Sequence, residues 1–149
     1  MVMDPFSALG LASNVVQFID FGSKLISESH EIYKSASGSS TGNMELELIH
    51  NDLNELTKGL KGSTGLNKQS LTADEAALRR LAASCHTVAV ELLNVVKTLK
   101  IDNNSNHRKW RSFRQAIKSV WKQSDIDNLQ TRLAEFRAQL TLRLVAILG

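Results

Sequence analysis

Cys85 and His86 stand side by side, a thiol next to an imidazole, the residue types of a nucleophile and its base. Their spacing defeats that chemistry. Neighbours on a helix point about 100° apart, so the two groups diverge. Cys85 also falls on an apolar stripe, where a small buried thiol is the expected state. The segment GLKGSTG (59–65) has the outline of a phosphate-binding loop. Such a loop needs a strand before it and Gly-Lys-Ser/Thr opening a helix. Both are missing, so the segment reads as a linker. Glu45, Glu47, Asp52 and Glu55 offer carboxylates, but they read as a solvated helix face rather than a catalytic pair. Four histidines, at 30, 50, 86 and 107, and one cysteine show no zinc spacing. The residues assign no catalysis, no cofactor, no metal and no small-molecule substrate.

The basic segment HRKWRSFRQAIKSVWK (107–122) is the most informative cluster. On a continuous helix, Arg108, Arg111, Arg114, Lys118 and Lys122 share an arc of about 120°. Trp110, Phe113, Ile117, Val120 and Trp121 take the opposite arc. The strip reads as a solvated face paired with acidic neighbours, or as a contact for anionic phospholipid headgroups or another acidic partner. Each base near an anionic membrane contributes about 1 kcal/mol. Nucleic acid ranks lower, because the aromatics lie on the core side and no nucleic-acid motif is visible. The wider charge distribution agrees with an acidic partner. Residues 1–106 carry nine bases and twelve acids, net −3, whereas 107–149 carry nine bases and three acids, net +6.

The elements that must position these residues are helices. The first is expected from about Pro5 to Ser35, with Asp4 as cap and Pro5 at the first helical position. Leu11, Val15, Phe18, Gly22, Leu25, Ser29 and Ile32 form one stripe, in which Gly22 and Ser29 leave room for another helix. Leu9, Ala12, Val16, Ile19 and Ile26 form a second apolar stripe. After a loop at 35–43 comes a helix carrying Leu46, Ile49, Leu53, Leu56 and Leu60. A further loop covers 59–70. Thr72-Ala-Asp-Glu75 has the form of a capping box and opens a third helix. Its stripe is Leu78, Leu81, Cys85, Val88, Leu92, Val95 and Leu99, and DNNSN (102–106) is expected to break it. The fourth helix is expected from about Arg108 to Lys122. Ser124 and Asp127 are candidate caps for the fifth, whose stripe is Ile126, Leu129, Leu133, Phe136, Leu140, Leu144 and Ile147. The fold expected is all-α: one domain over 1–149, an antiparallel bundle of about five helices around a four-helix core.

The first segment sets the functional question. From Phe6 to Phe21, ten of sixteen residues are Phe, Ala, Leu, Val or Ile. A secretory signal begins with positive charge, and here Asp4 precedes the apolar run with no base before Lys24. A permanent membrane span needs about 20 apolar residues, and Gly10, Ser13, Asn14 and Gln17 interrupt this run. A docked core helix is the expected resting state. With a single cysteine no intrachain disulfide can form, which fits a reducing compartment.

With these residues placed, the chain resembles the fungal HeLo-like amino-terminal domain of STAND, NACHT-type NLR proteins. The resemblance lies in MDPFSALGLASNVVQFIDFGSKLI (3–26), EIYKSASG (31–38), NMELELIHNDLNEL (43–56), CHTVAVELLNVVKTLK (85–100) and the segment from Lys109 to Leu148. It implies a bundle related to the HeLo domain of fungal incompatibility proteins and, more distantly, to the four-helix bundle of the necroptosis pseudokinase. It also implies regulated cell death. The first helix is stored while docked, then freed to enter the plasma membrane when the attached receptor oligomerises. The chain is then cytoplasmic at rest and membrane-bound on activation, with NACHT and repeat domains in cis. It is expected to be the amino-terminal part of a longer protein, or a short stand-alone member. On apolar character alone, Phe6, Leu9, Leu11, Val15, Val16, Phe18 and Ile19 are the candidates for entering lipid. The alternative is an interaction or self-association module in which the first helix never leaves the core.

Overall fold

Capping chemistry and apolar spacing together set the helix boundaries. The computed structural model describes residues 5–27, 42–61, 72–106 and 113–148, and all their regular structure is helical. Helix α1 spans Pro5–Leu25, α2 Gly42–Lys61, α3 Ala73–Asn106, α4 Phe113–Ile117 and α5 Gln123–Leu148. Pro5 takes the first helical position as expected. The expected cap Asp4 and residues 28–35 lie outside the described residues.

The capping box at the start of α3 is formed. The Glu75 amide donates to Thr72 Oγ1 at 3.1 Å, and the Thr72 amide donates back to Glu75 Oε1 at 3.4 Å. The Thr72 hydroxyl also donates to Glu75 Oε1 at 2.8 Å. Two amides with no partner inside the helix are thereby satisfied. Thr72→Ala is expected to cost about 1 kcal/mol. It should lower the urea midpoint and leave the slope of the transition unchanged.

Several boundaries differ from expectation. Helix α1, expected to run to about Ser35, ends at Leu25, where Ile26 forms a turn and the Ser27 amide bonds three residues back to Lys24. DNNSN does not break α3, which runs through to Asn106. Asn, Asp and Ser cost only about 0.5–0.7 kcal/mol each in a helix, and extending a formed helix adds a hydrogen bond per residue. The loop expected from residue 59 begins later, because Gly59 to Lys61 continue α2. Leu60 is fully buried there. Helix α4 ends at Ile117 and does not reach Lys122. The Ser119 hydroxyl donates to the Ala116 carbonyl at 2.6 Å, and the amides of Ser119 and Val120 bond three residues back. This side-chain competition tightens the chain into a turn. Helix α5 then starts at Gln123, so Ser124 and Asp127 lie inside it. Asp125 makes the capping contact instead, accepting the Lys122 amide at 3.0 Å.

Four long helices make an antiparallel bundle. Lys100 of α3 meets Glu47 of α2 at 2.9 Å, and this bond holds the Glu47 carboxyl below its ordinary range. Arg132 of α5 meets Glu91 of α3 at 3.7 Å, and Arg143 meets Asp74 at 3.1 Å. Arg137 of α5 meets Asp20 of α1 at 3.1 Å. Between α3 and α5, and between α1 and α5 (Asp20 with Arg137, Gly22 with Leu133), residue numbers rise in one helix and fall in the other. Helices α1 and α3 each pack against α2 and α5 and against each other. Helices α2 and α5 therefore occupy opposite corners.

The core is built from the expected stripes. Leu78, Leu81, Cys85, Val88, Leu92, Val95 and Leu99 are all buried. So are Leu46, Ile49, Leu53 and Leu60 of α2, with Leu56 half-buried. In α5 burial holds from Ile126 to Leu140, then relaxes to half-buried Leu144 and Ile147. Helix α3 also buries a column of Ala82, Ala89 and Val96, each at 0% exposure. A helix enclosed on two sides is the centre of the bundle, and the alanines let its neighbours approach. Burial pushes the Cys85 thiol up to about 12. It stays protonated at neutral pH and is a core side chain rather than a nucleophile.

Candidate functional site

Helix α1 presents two contrasting faces. Its buried arc holds Leu11, Ala12, Val15, Phe18, Ile19, Leu25 and Ile26. At 100° per residue these cover about 140° of the circumference. Ser13, Gln17, Asp20 and Lys24 are exposed and fall within about 60° of one another on the opposite side. Gln17 donates to the Ser13 hydroxyl at 3.2 Å along this polar stripe. Leu9 and Val16 flank the stripe at 43% and 44% exposure.

The candidate lipid-entering residues therefore divide. Leu11, Val15, Phe18 and Ile19 are in the core, at no more than 3% exposure. Leu9 and Val16 are at the surface. The backbone of Phe6 belongs to α1, and its side chain lies outside the described residues. The second apolar stripe is split in the same way, with Ala12, Ile19 and Ile26 buried and Leu9 and Val16 exposed. It is not a complete second apolar face.

Several contacts among the described residues tie α1 to the rest of the bundle. Asn14 Nδ2 donates to the Gly59 carbonyl of α2 at 3.2 Å. A Cβ at residue 59 would sit 3.3 Å from Asn14 Cγ, a tight contact that glycine avoids. Asp20 pairs with Arg137. Gly22 lets α5 come close, since a Cβ there would meet Leu133 Cδ1 at 3.3 Å. That is the gap its place on the stripe implied; Ser29 lies outside the described residues. At the end of the helix, Arg114 Nη1 of α4 donates to the Ile26 carbonyl at 2.8 Å.

Arg114 corrects the expected cationic strip. Its side chain is only 6% exposed, and it also lies 3.9 Å from Asp127 Oδ1 of α5. It is a buried tie and not a surface charge. Arg108 and Arg111 lie outside the described residues. Lys118 is exposed in the turn after α4, and Lys122 is exposed just before α5. Because α4 stops at Ile117, these two lysines do not continue its helical arc. No spacing signal marked Arg114 as buried, because its carbonyl partner comes from 88 residues away.

A groove of about 510 Å³ opens between α3 and α5. Half-buried Trp121 and exposed Val120 line it, together with Glu91, Asn94, Asp125 and Arg132. Among the described residues, no three His, Cys, Asp or Glu side chains converge as metal ligands. No described helix is long and apolar enough to cross a membrane.

The fold and these contacts define an all-α bundle domain organised around a docked amino-terminal helix. Comparison with known families matches residues 12–140 to SesA, described as an N-terminal domain on NACHT and P-loop NTPases. The chain belongs to that family. No curated protein and no solved structure matches it.

Proposed function

We propose that the chain is the effector module of a NACHT protein, of the HeLo-like kind found in fungal NLR proteins, and that α1 is its working part. At rest, in the cytoplasm, α1 is stored in the bundle. Oligomerisation of the NACHT protein in cis gathers several copies and frees their α1 helices to enter the anionic inner face of the plasma membrane. Loss of the membrane barrier then causes regulated cell death. The proposal gives the domain no catalytic role.

The observation that carries this reading is the two-faced surface of α1. Its 21 residues extend about 32 Å, close to the thickness of a bilayer core. One copy is too polar to span, because Ser13, Gln17, Asp20 and Lys24 would meet lipid. Several copies can turn those stripes toward one another and toward water. Leu11, Val15, Phe18 and Ile19 then face hydrocarbon, which satisfies both faces. Exposed Lys118 and Lys122 are placed to draw the domain to anionic headgroups.

The test is dye release from anionic liposomes by the domain fused to an inducible oligomerisation tag. Leakage is expected only after oligomerisation. The double variant K118Q/K122Q should bind the vesicles roughly thirtyfold more weakly, at about 1 kcal/mol per lysine. Neither leakage nor co-sedimentation after forced oligomerisation would sink the proposal. The second reading is an interaction module with α1 permanently docked. The groove beside Trp121 favours it, since half-buried aromatics in such clefts are common anchors for partners. Partner binding that persists with α1 locked in place would support that alternative.

A further inference from the structure

We propose that the exposed face of α5, with the adjoining flank of α1, is a contact for a second copy of this chain. The contact goes beyond the function proposed above and rests on it only for its biological purpose. Among the described residues, eight large apolar side chains are well exposed, and five of them gather here: Leu9, Val16, Leu142, Val145 and Leu148. Single exposed apolar residues are ordinary, but a contiguous patch marks a contact. Leu142, Val145 and Leu148 are 60%, 66% and 57% exposed. At 100° per residue, Ala134, Ala138, Leu142 and Leu148 all lie within about 60° of Val145. Ala134 and Ala138 are exposed as well. The strip meets α1 at a crevice lined by Val16, Thr141 and Leu144. Asp20 against Arg137 and Val16 beside Thr141 set an antiparallel register that brings Leu9 level with Leu148.

The chemistry of the strip fits a copy of itself. From Thr131 to Leu148, about 27 Å of helix, this arc carries no charged residue. In a two-fold contact a face meets itself, so any charge on it would meet its like. The two threonines on the arc, Thr131 and Thr141, donate their hydroxyls to the Asp127 and Arg137 carbonyls of their own helix at 3.1 Å. Covering them leaves no donor unpaired. Glu135 and Arg137 lie about 80° to either side of Val145. When parallel helices pack about a two-fold axis, each edge meets the opposite edge of the other helix. Glu135 of one copy then faces Arg137 of the second, whereas antiparallel packing would bring like charges together. A lipid surface fits less well, because apolar faces that lie on membranes are bordered by Lys and Arg. Here Arg137 and Arg143 are paired with Asp20 and Asp74, and Glu135 adds negative charge. A face of this size is small for a protein interface, so free chains pair weakly. Tethering several copies in one assembly raises their effective concentration to the millimolar range and closes the contact.

The experiment is sedimentation equilibrium of the 149-residue chain without lipid, over a concentration series that reaches the millimolar range. The wild type is expected to pass from monomer to dimer. The double variant L142E/V145E should weaken the dimer roughly a hundredfold or more, because charges would be covered at the centre of the contact. Val90→Glu, at an exposed site on α3, should change the dimer less than about twofold. Val145→Cys in two copies should be joined by a short bis-maleimide, since residue 145 lies at the middle of the face. Cys85 is buried and protonated and does not compete. A dimer that this reagent fails to link overturns the parallel contact. If L142E/V145E does not fold, Ala138→Arg, one charge on the same face, decides by the same comparison. A monomer at every concentration, or a dimer indifferent to these changes, overturns the proposal. A wild type that stays monomeric but binds anionic vesicles through Leu142 and Val145 makes the face a lipid contact and overturns it too. A failed leakage assay removes the membrane reading alone, because no lipid enters this measurement.

Discussion

Truncating Phe18 to alanine is expected to cost about 3–5 kcal/mol of folding stability. The ring is at 0% exposure, where α1 meets its neighbours, and the loss combines transfer of the ring with the cavity left behind. Domains of this size are stable by only about 5–15 kcal/mol, so much of the margin disappears. Thermal unfolding should fall by about 10–15 °C. The control is Val16→Ala, two residues away on the exposed flank, which should change stability by less than about 0.5 kcal/mol. Calorimetry of the two variants measures how fully α1 is docked in solution. A cost for Phe18→Ala below about 1 kcal/mol would mean that α1 is not a core helix at rest.

Locking α1 to α5 should abolish membrane leakage altogether. Asp20 and Arg137 meet at 3.1 Å on the surface, so cysteines placed at both positions can be joined by a short, cleavable reagent. The native thiol does not compete, because Cys85 is buried and protonated. Losing the exposed ion pair costs no more than about 1 kcal/mol, so the unlinked double variant should behave as the wild type. The linked, oligomerised protein should release no dye, and cleaving the link should restore release. Undiminished leakage from the linked protein would show that α1 need not leave the core, and the interaction reading would then stand ahead.

These two experiments address separate links in the argument from sequence to function. The first measures an energy that α1 contributes to the resting fold. The second asks whether that same helix must give up its place for activity. A helix that contributes several kcal/mol to the core does not leave spontaneously. Its release needs a source of free energy, and the gathering of copies with a lipid surface to receive them is the source proposed here.

Much of this organisation was legible in the chain. The stripe from Leu78 to Leu99 is buried because a helix turns 100° per residue, so steps of three and four return to the same face whatever the neighbours are. The same holds for Leu11, Val15 and Phe18, and for the run from Ile126 to Leu140. The Thr72–Glu75 box is legible because both partners lie within one turn. Gly22 marked a close approach because a stripe interrupted by glycine has space where a side chain would be.

The tertiary structure decided the rest. The early end of α4 depends on a hydroxyl–carbonyl contact at Ser119 that propensities do not resolve. The second buried column of α3, at Ala82, Ala89 and Val96, follows from that helix being enclosed by three others. Alanine at heptad spacing is neutral until partners arrive. Above all, the sequence displayed Arg114 as one of five bases at helical spacing, and the fold withdrew it from the surface. Periodicity is local and can be read from neighbours in the chain. Whether a charge stays in water depends on which acceptor the fold brings to it, and the Ile26 carbonyl reaches Arg114 only once the bundle has closed.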